Sequence, residues 1–531
     1  MMIKDKFFDR TSYLQILQKR VSALKDGYRQ NIAITGEENV GKTGIIFKFL
    51  DKFYDNRIIV VYLEVRLETL EDFSRRFIGV LLYNFLSNSG ITLKEDLNFL
   101  IERSEKYIPK TTAKIREILA ALRKRKKNNI LSEVFNLTEI IHQETGKSAV
   151  LILDEFHNLE NLGVSNLYRE WSKLLILQKN TLYVIISSMV FKTQLILSKQ
   201  LSLLFGNFEV IKVEPFDTHT SERYLEHRLS LLQLEPGLGD FIINFTGGYP
   251  LYLELISDAL SKSHVGALAD ILESMLFDST GILNLKFSNY LKRFLDVQHS
   301  SDYISILYLI SSGRNRIKDI AHILHKQKKE LSVRINHLLE LDAISRSGDF
   351  LKISDRLFAY WLKFVYQGKL SSLTFDAKFQ KAKFRDNIEE MIQEFLRQDQ
   401  KSLSNRVYEL LQLFEDDLMQ IERKKIRLPP FREIKPLAFN NLTLKEGLLG
   451  RSNDSLWIMA IKSDALTEQD ITDFAKECKK YHHKSQRKII VTLKEIDANA
   501  RLRALNEKIL TWDLNSLNQI MDLFSKPRVI A

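Results

Sequence analysis

Gly36-Glu37-Glu38-Asn39-Val40-Gly41-Lys42-Thr43 fits the pattern GxxxxGK[ST] at every specified position. These residue types suit a polyphosphate. Glycines at 36 and 41 let the backbone fold back and turn successive N–H groups onto phosphate oxygens, where a side chain would obstruct. Lys42 brings an ammonium to the β- and γ-phosphates, and the Thr43 hydroxyl is placed for Mg²⁺. A second constellation lies downstream, where the apolar run Ser148-Ala149-Val150-Leu151-Ile152-Leu153 ends in Asp154-Glu155. Two acids at the end of a buried strand are costly without a role. Beside a phosphate loop, Asp154 is expected to organise the Mg²⁺ shell, and Glu155 to take a proton from the attacking water or orient it. The expected cofactors are therefore ATP and Mg²⁺, bound by residues 36–44 including Gly44, with Lys42 and Glu155 catalytic and Thr43 and Asp154 on the metal.

The elements needed to position these groups can be read around them. Residues 31–35 form an apolar run of strand length before the loop, and 44–53 carry helical spacing after it. Further strands are expected at 57–65, 181–186 and 208–213. Five short strands separated by helical segments predict a three-layer α/β domain around a parallel sheet. The strand 181–186 runs into Ser187-Ser188, where a hydroxyl could sense the γ-phosphate or hold water. An ordinary turn or helix cap explains that pair as well.

At 531 residues the chain has room for roughly three to four domains. A composition 45% hydrophobic and 27% charged is that of a globular protein, and no apolar stretch reaches membrane-spanning length. The start, Met1-Met2-Ile3-Lys4-Asp5-Lys6, has no apolar leader core, which predicts a cytoplasmic protein. The single cysteine, Cys478, excludes an intrachain disulfide and a cysteine-based metal cage. Lys and Arg exceed Asp and Glu by 78 to 67, a formal +11 that suits a polyanion partner without demanding one. The basic run 123–127 reads as a solvated helix end or loop, and His482-His483 has no partners at metal spacing.

Taken in order, Phe8-Asp9-Arg10, the phosphate loop, Leu151-Ile152-Leu153-Asp154-Glu155-Phe156, Ser187-Ser188 and Thr246-Gly247-Gly248-Tyr249-Pro250 resemble the ATPases described as predominantly archaeal. These stand on the STAND and AAA+ side of the additional-strand-catalytic-glutamate P-loop class and are similar to the origin-recognition initiator ATPases. The resemblance spans about residues 7–370 and continues more weakly to the end. It implies a sheet order 5-1-4-3-2, a helical lid after the fifth strand and a winged helix after the lid. The implied domains are an ATPase core at 1–218, a lid at 219–298, a winged helix at 299–370 and an α/β C-terminal domain at 371–531. The resemblance also places Pro250 over the nucleotide, coupling the lid to its state. Many relatives carry an arginine just before the fifth strand; here Asn207 stands there, with Lys199 and Arg223 the nearby cations. Hydrolysis is accordingly expected to be slow, because an arginine finger can be worth about 10³ to 10⁵ in rate.

Downstream, helical spacing at 301–310, 316–324 and 328–341 with a hairpin at 344–353 predicts the winged helix, and Lys328, Lys329, Arg334 and His337 give its third helix a basic face. DNA contact and protein docking are both open for that fold. Helical spacing is expected from 379 to 419, then strands at 456–461, 488–493 and 508–512 around a helix at 467–481. That order resembles a restriction-endonuclease-like domain, but its Glu-x-Lys position reads Ala460-Ile461-Lys462, and Asp454 is too near in sequence to complete the site. Nuclease activity is not expected. Two functions are carried forward: an ATPase whose nucleotide state controls DNA association through the winged helix and C-terminal domain, or a STAND-type signalling or defence switch that forms a homo-oligomer or recruits a protein partner. Neither involves a membrane.

Overall fold

The computed structural model describes residues 7–87, 93–124, 129–201, 208–230, 232, 234–262, 268–295, 298–373, 376–421, 424–439, 444–481, 483, 485–494 and 496–530. The chain divides after Pro215 into two compact units, the first also taking in Glu340–Asp342. Among the described residues no helix is long and apolar enough to cross a membrane.

The first unit is built on strands β1 (Asn31–Thr35), β2 (Ile58–Glu64), β3 (Ser148–Asp154), β4 (Thr181–Ser187) and β5 (Phe208–Lys212), all parallel, in the order β2-β3-β4-β1-β5. This is the expected 5-1-4-3-2 sheet. Every residue of β1 and β4 is buried, as a strand covered by helices on both faces requires. Between β2 and β3 run four helices, Leu70–Leu86, Leu97–Glu105, Pro109–Arg123 and Ile130–Thr145, whose apolar faces join one core around Phe73, Phe77, Phe135 and Trp171. The basic run begins at the end of the third of them, and its residues 125–127 lie outside the described residues. Strand register aligns the carboxyl ends at one rim of the sheet. Thr35 lies opposite Ser187 on one side and Lys212 on the other, and Glu64 lies opposite Asp154.

The second unit opens with helices Thr218–Arg228, Leu238–Thr246, Pro250–Lys262, Leu268–Leu276 and Ile282–Leu295. Helices Ser300–Ser311, Ile317–Ile323 and Lys328–Glu340 follow, then a hairpin of β6 (Ile344–Ser347) and β7 (Phe350–Ile353), the order of elements expected of a winged helix. A short helix, Arg356–Trp361, is capped by Asp355 through the Phe358 N–H. The expectation of helix throughout 379–419 fails in its last part. Helices Ala377–Asp399 and Leu403–Leu411 are followed by a hairpin of β8 (Asp417–Ile421) and β9 (Lys424–Leu428). Asp416, at φ 65, breaks the helical path, and Asp417, Met419 and Ile421 are then buried with a period of two. A mixed sheet of β10 (Glu433–Ala438), β11 (Glu446–Arg451), β12 (Leu456–Lys462), β13 (Gln486–Thr492) and β14 (Ile509–Trp512) completes the unit, with β10 to β12 antiparallel and β12 to β14 parallel.

The wing does not end in solvent. Asp349 N–H donates to the Leu418 carbonyl at 2.8 Å, and Leu418 N–H donates to Asp349 Oδ2 at 2.8 Å. Ser347 Oγ donates to the Gln420 carbonyl at 2.7 Å and accepts from the Gln420 N–H at 3.1 Å. Gly348 sits between them at φ 64, and a Cβ there would lie 2.2 Å from the Leu418 oxygen. Arg316 and Lys318, at the start of the second winged-helix helix, hold the buried Asp417 at 2.7 and 3.0 Å. Phe350 of β7 belongs to the same apolar core as Phe414, Trp457 and Trp512.

A buried charge cluster ties this unit together. Asp522, 3% exposed, accepts from Lys352 Nζ at 2.6 Å, Arg356 Nη1 at 2.6 Å, and Arg528 Nε and Nη2 at 3.1 and 2.8 Å. Asn244 Oδ1 accepts from both Arg356 Nη2 and the Arg528 N–H, bringing in the helix that precedes Gly247-Gly248.

Candidate nucleotide site

The loop 36–43 links the end of β1 to the helix Lys42–Lys52 at the sheet rim. Gly36 cannot be replaced in place, since a Cβ would come 2.2 Å from the Val213 carbonyl beyond β5. Asn39 at φ 68 and Gly41 at φ 91 curl the backbone, and Val40, wholly buried, anchors the curl from beneath. No side chain caps the start of the helix, so its first amides are presented as donors in the arrangement that suits an anion. Arg10 braces the loop from outside, donating to the carbonyls of Val40 at 3.2 Å and Glu214 at 2.6 Å.

Lys42 is 6% exposed, and its ammonium donates to the carbonyls of Gly36 at 2.9 Å and Glu37 at 2.7 Å. Burial pulls its pKa down, against the opposing pull of Glu155 and Asp154. Thr43 Oγ1 donates to Asp154 Oδ2 at 2.9 Å, so two residues 111 positions apart meet at the head of the loop. The same oxygen accepts from Tyr62 of β2 at 3.0 Å, and Asp154 Oδ1 accepts from the Glu155 N–H at 3.0 Å. Burial next to Asp154 pushes the Tyr62 hydroxyl upward, so it stays a donor at neutral pH.

Glu155 takes a left-handed backbone, φ 50, directly after β3. Its Oε2 accepts from the Ser188 N–H at 3.0 Å and from Ser188 Oγ at 2.9 Å, and His157 Nδ1 stands 3.3 Å away. Burial raises the Glu155 pKa, partly offset by the two Ser188 bonds. His157 is pushed down to about 4, first by burial and then by Lys192, and is neutral at physiological pH. Its Nδ1 lies 2.9 Å from the wholly buried Ser187 Oγ.

Lys42, Thr43, Asp154 and Glu155 are thus brought to one rim. Glu37, Glu38, Asn39 and Val40 form the loop between the glycines, and Gly44 lies in the first turn of the helix. Of the two serines, Ser187 faces inward to His157 whereas Ser188 reaches Glu155. Pro250 belongs to the second unit, where it begins a helix, and the Gly248 carbonyl before it accepts from the Phe216 N–H at 2.8 Å. Asn207 lies outside the described residues, and Lys199 is exposed. Tyr62 and His157 carry no motif signal.

The donor set fits a magnesium nucleotide: amide N–H groups and a buried ammonium for phosphate, and a hydroxyl and a carboxylate, both hard oxygen donors, for Mg²⁺. Among the described residues no group of three or more His, Cys, Asp or Glu could cage a metal by itself, so phosphate oxygens and water would complete the shell.

The nuclease-like positions are not assembled. Lys462, at the end of β12, donates to the fully buried Asp470 at 2.6 Å, which also caps its helix with Thr467. Asp454 lies in the turn before the other end of that strand; the six steps from Leu456 to Lys462, at about 3.3 Å each, separate the two ends by about 20 Å.

No protein-family model matches this chain, and no curated protein matches its sequence. Among solved structures it is similar to the Walker-type ATPase PABY2304 of Pyrococcus abyssi, at 19% identity and TM-score 0.49 over 68% of this chain and 97% of that one. It is also similar to the ORC2 protein of Aeropyrum pernix, at 10% identity and TM-score 0.40 over 70% and 98%. A third is the STAND protein PH0952 of Pyrococcus horikoshii, which has a tetratricopeptide repeat sensor, at 12% identity and TM-score 0.27 over 76% and 51%.

Proposed function

We propose that this chain is a Mg²⁺-dependent ATPase that hydrolyses slowly and uses its nucleotide state as a signal. The observation that carries the reading is the 2.9 Å bond joining Thr43 to Asp154 beside the buried Lys42 and the carboxylate of Glu155. In this reading the loop amides and Lys42 hold the phosphates, Thr43 and Asp154 hold the metal, and Glu155 takes the proton of the attacking water. Bound Mg²⁺ would supply charge neutralisation at the β- and γ-phosphates. Ser188 and Pro250 would respond to the γ-phosphate and the lid. The division into core, lid, winged helix and C-terminal domain belongs to the same proposal, as does a cytoplasmic place of action. Nuclease chemistry is left out, because Lys462 is committed to Asp470.

Two outputs were open from the sequence. The basic face of Lys328–Glu340 would serve DNA association. The closure of the wing by β8 favours the second, a switch read out by oligomer formation or a protein partner, because Ser347 and Asp349 already bond Gln420 and Leu418 of the same chain. The test is ATP binding and turnover for wild type, Lys42→Ala and Glu155→Gln, each with and without DNA. Lys42→Ala is expected to lose nucleotide affinity, whereas Glu155→Gln keeps affinity and loses turnover. Equal loss of binding in both would remove the role given to Glu155. DNA-stimulated turnover, with binding that weakens steeply as salt rises, would restore DNA as the output.

A further inference from the structure

At the other rim of the first unit's sheet, where β1 and β4 begin, lies an open cleft of about 420 Å³. The four steps from Asn31 to Thr35, at about 3.3 Å each, separate the two rims by about 13 Å. The cleft shares no residue with the phosphate loop or with Asp154, Glu155 and Ser188. Its walls come from the helix Thr11–Lys25, the turn 27–30 that leaves it, and Lys179 just before β4. That turn presents an aromatic ring to solvent. The Gly27 N–H donates to the Leu24 carbonyl at 3.1 Å and the Tyr28 N–H to the Ala23 carbonyl at 2.9 Å, which closes the helix end with Gly27 at φ 82. Tyr28 is left 76% exposed.

Three cations line the same cleft. Arg20 gives its Nε to Glu209 Oε2 at 2.6 Å and leaves both Nη groups without a partner among the described residues. Arg29 donates from Nη1 and Nη2 to the carbonyls of Gln178 and Leu175, at the end of the helix Leu167–Leu177. No carboxylate pairs with it among the described residues, and burial pulls its pKa down. Those two bonds hold the turn that carries Lys179, which is exposed and makes no ion pair among the described residues. One carboxylate therefore answers three cations in a concave setting, where positive potential is focused. The size suits a small ligand, and the charge selects an anion. An inorganic anion alone would give Tyr28 no part.

We propose that this cleft binds a nucleoside phosphate, with the base stacked on Tyr28 and the phosphate held by Lys179 and the Nη groups of Arg20, while Arg29 positions the Lys179 turn. An exposed ring for a base face beside cations for a phosphate is the combination by which single nucleotide units are held without base-specific bonds. The ligand is a free nucleotide or one unit of a single strand, since the recognition chemistry is the same. The site is separate from the nucleotide site above and does not depend on the ATPase reading.

Binding is measured in the full chain carrying Lys42→Ala, which removes the ammonium from the phosphate loop, with dAMP by calorimetry and with a short labelled deoxyadenosine strand by fluorescence anisotropy. Tyr28→Ala and Lys179→Glu should each weaken binding at least about tenfold. Both side chains are exposed, so Tm should stay within about 2 degrees. Lys110→Glu, the same charge change on another exposed side chain, should leave Kd unaltered. Binding of dAMP that needs Tyr28 and Lys179 supports the proposal with a free nucleotide as ligand; binding of the strand alone, with the same dependence, supports it with a single strand. Failure of both probes to bind, a Kd indifferent to Tyr28→Ala, inorganic phosphate binding as tightly as dAMP, or equal weakening by Lys110→Glu would each overturn it.

Discussion

Replacing Asp522 by Asn keeps the shape of the side chain and removes the one negative charge facing Lys352, Arg356 and Arg528. Four charge-assisted hydrogen bonds converge on this carboxylate, but they share one group and do not add. Removing one partner from a buried ion pair costs about 3–5 kcal/mol. The three cations keep 23–29% of their side-chain surface, so water can partly replace the lost charge; the lower end, about 3 kcal/mol, is therefore expected. With a urea slope of about 3 kcal/mol per molar for a unit of this size, the midpoint should fall by about 1 M. Tryptophan fluorescence can follow it, because Trp361, Trp457 and Trp512 lie in the second unit and Trp171 in the first. The pH dependence has a fixed sign. The cations around Asp522 hold its carboxyl well below the usual carboxylate range, against burial, which acts the other way. A depressed folded-state pKa gives stability that is fully present above about pH 4 and is lost as pH falls through the folded value, so the gap between wild type and variant should be flat at neutral pH and close in acid. Adding Lys352→Met to Asp522→Asn should recover part of the loss by removing one of the repelling charges. A midpoint shift under about 0.2 M, or a gap that widens in acid, would refute the account.

Two further outcomes concern the nucleotide site. Gly36→Ala would drive a methyl toward the Val213 carbonyl, 2.2 Å from its ideal position, so the loop must move; ATP affinity measured by calorimetry should fall at least about tenfold while far-ultraviolet circular dichroism stays unchanged. Tyr62→Phe removes one donor from Asp154 Oδ2 and leaves Thr43 in place. The Mg²⁺ concentration for half-maximal turnover should rise about threefold to tenfold, with metal-free ATP binding unaltered, as loss of a supporting hydrogen bond behind a metal-organising carboxylate predicts.

The parts of this site legible in the sequence were those set by chain-local chemistry. The glycines, Lys42 and Thr43 sit within eight residues, and Asp154-Glu155 ends an apolar run that needed only two faces of cover. What the sequence hid was set by register between strands. Tyr62 reaches Asp154 because β2 and β3 pair with Tyr62 opposite Ile152, a relation between residues some 90 positions apart that no spacing rule displays. His157 finds Ser187 across 30 residues for the same reason. The two serines could not be told apart beforehand, because β4 is buried along its whole length and gives no alternation to say which one faces the rim. In the C-terminal sheet, Pro436 in β10 and Gly447 and Gly450 in β11 weaken the strand signal. Pro436 is admissible because β10 lies at the edge. The hairpin from Asp417 is hidden because the apolar residues Leu418, Met419 and Ile421 do not alternate, and one of the three inward positions is taken by a charged residue, Asp417.

The fastening of the wing to the β8 hairpin has a practical corollary for anyone who dissects this chain. A truncation after Leu370, where sequence spacing invites one, would strip the cover from Phe350, orphan Arg316 and Lys318, and bare the Asp349 amide and the Ser347 and Asp349 side chains that β8 now engages. Such a fragment would carry a sticky strand margin and a wet aromatic, the usual ingredients of aggregation. Insolubility of that piece would then say nothing about its native role, and a fragment that starts at Phe216 and runs on through the C-terminal sheet is the cut the chemistry permits, since Asn244 bonds Arg356 and Arg528 and Asn284 bonds Trp361.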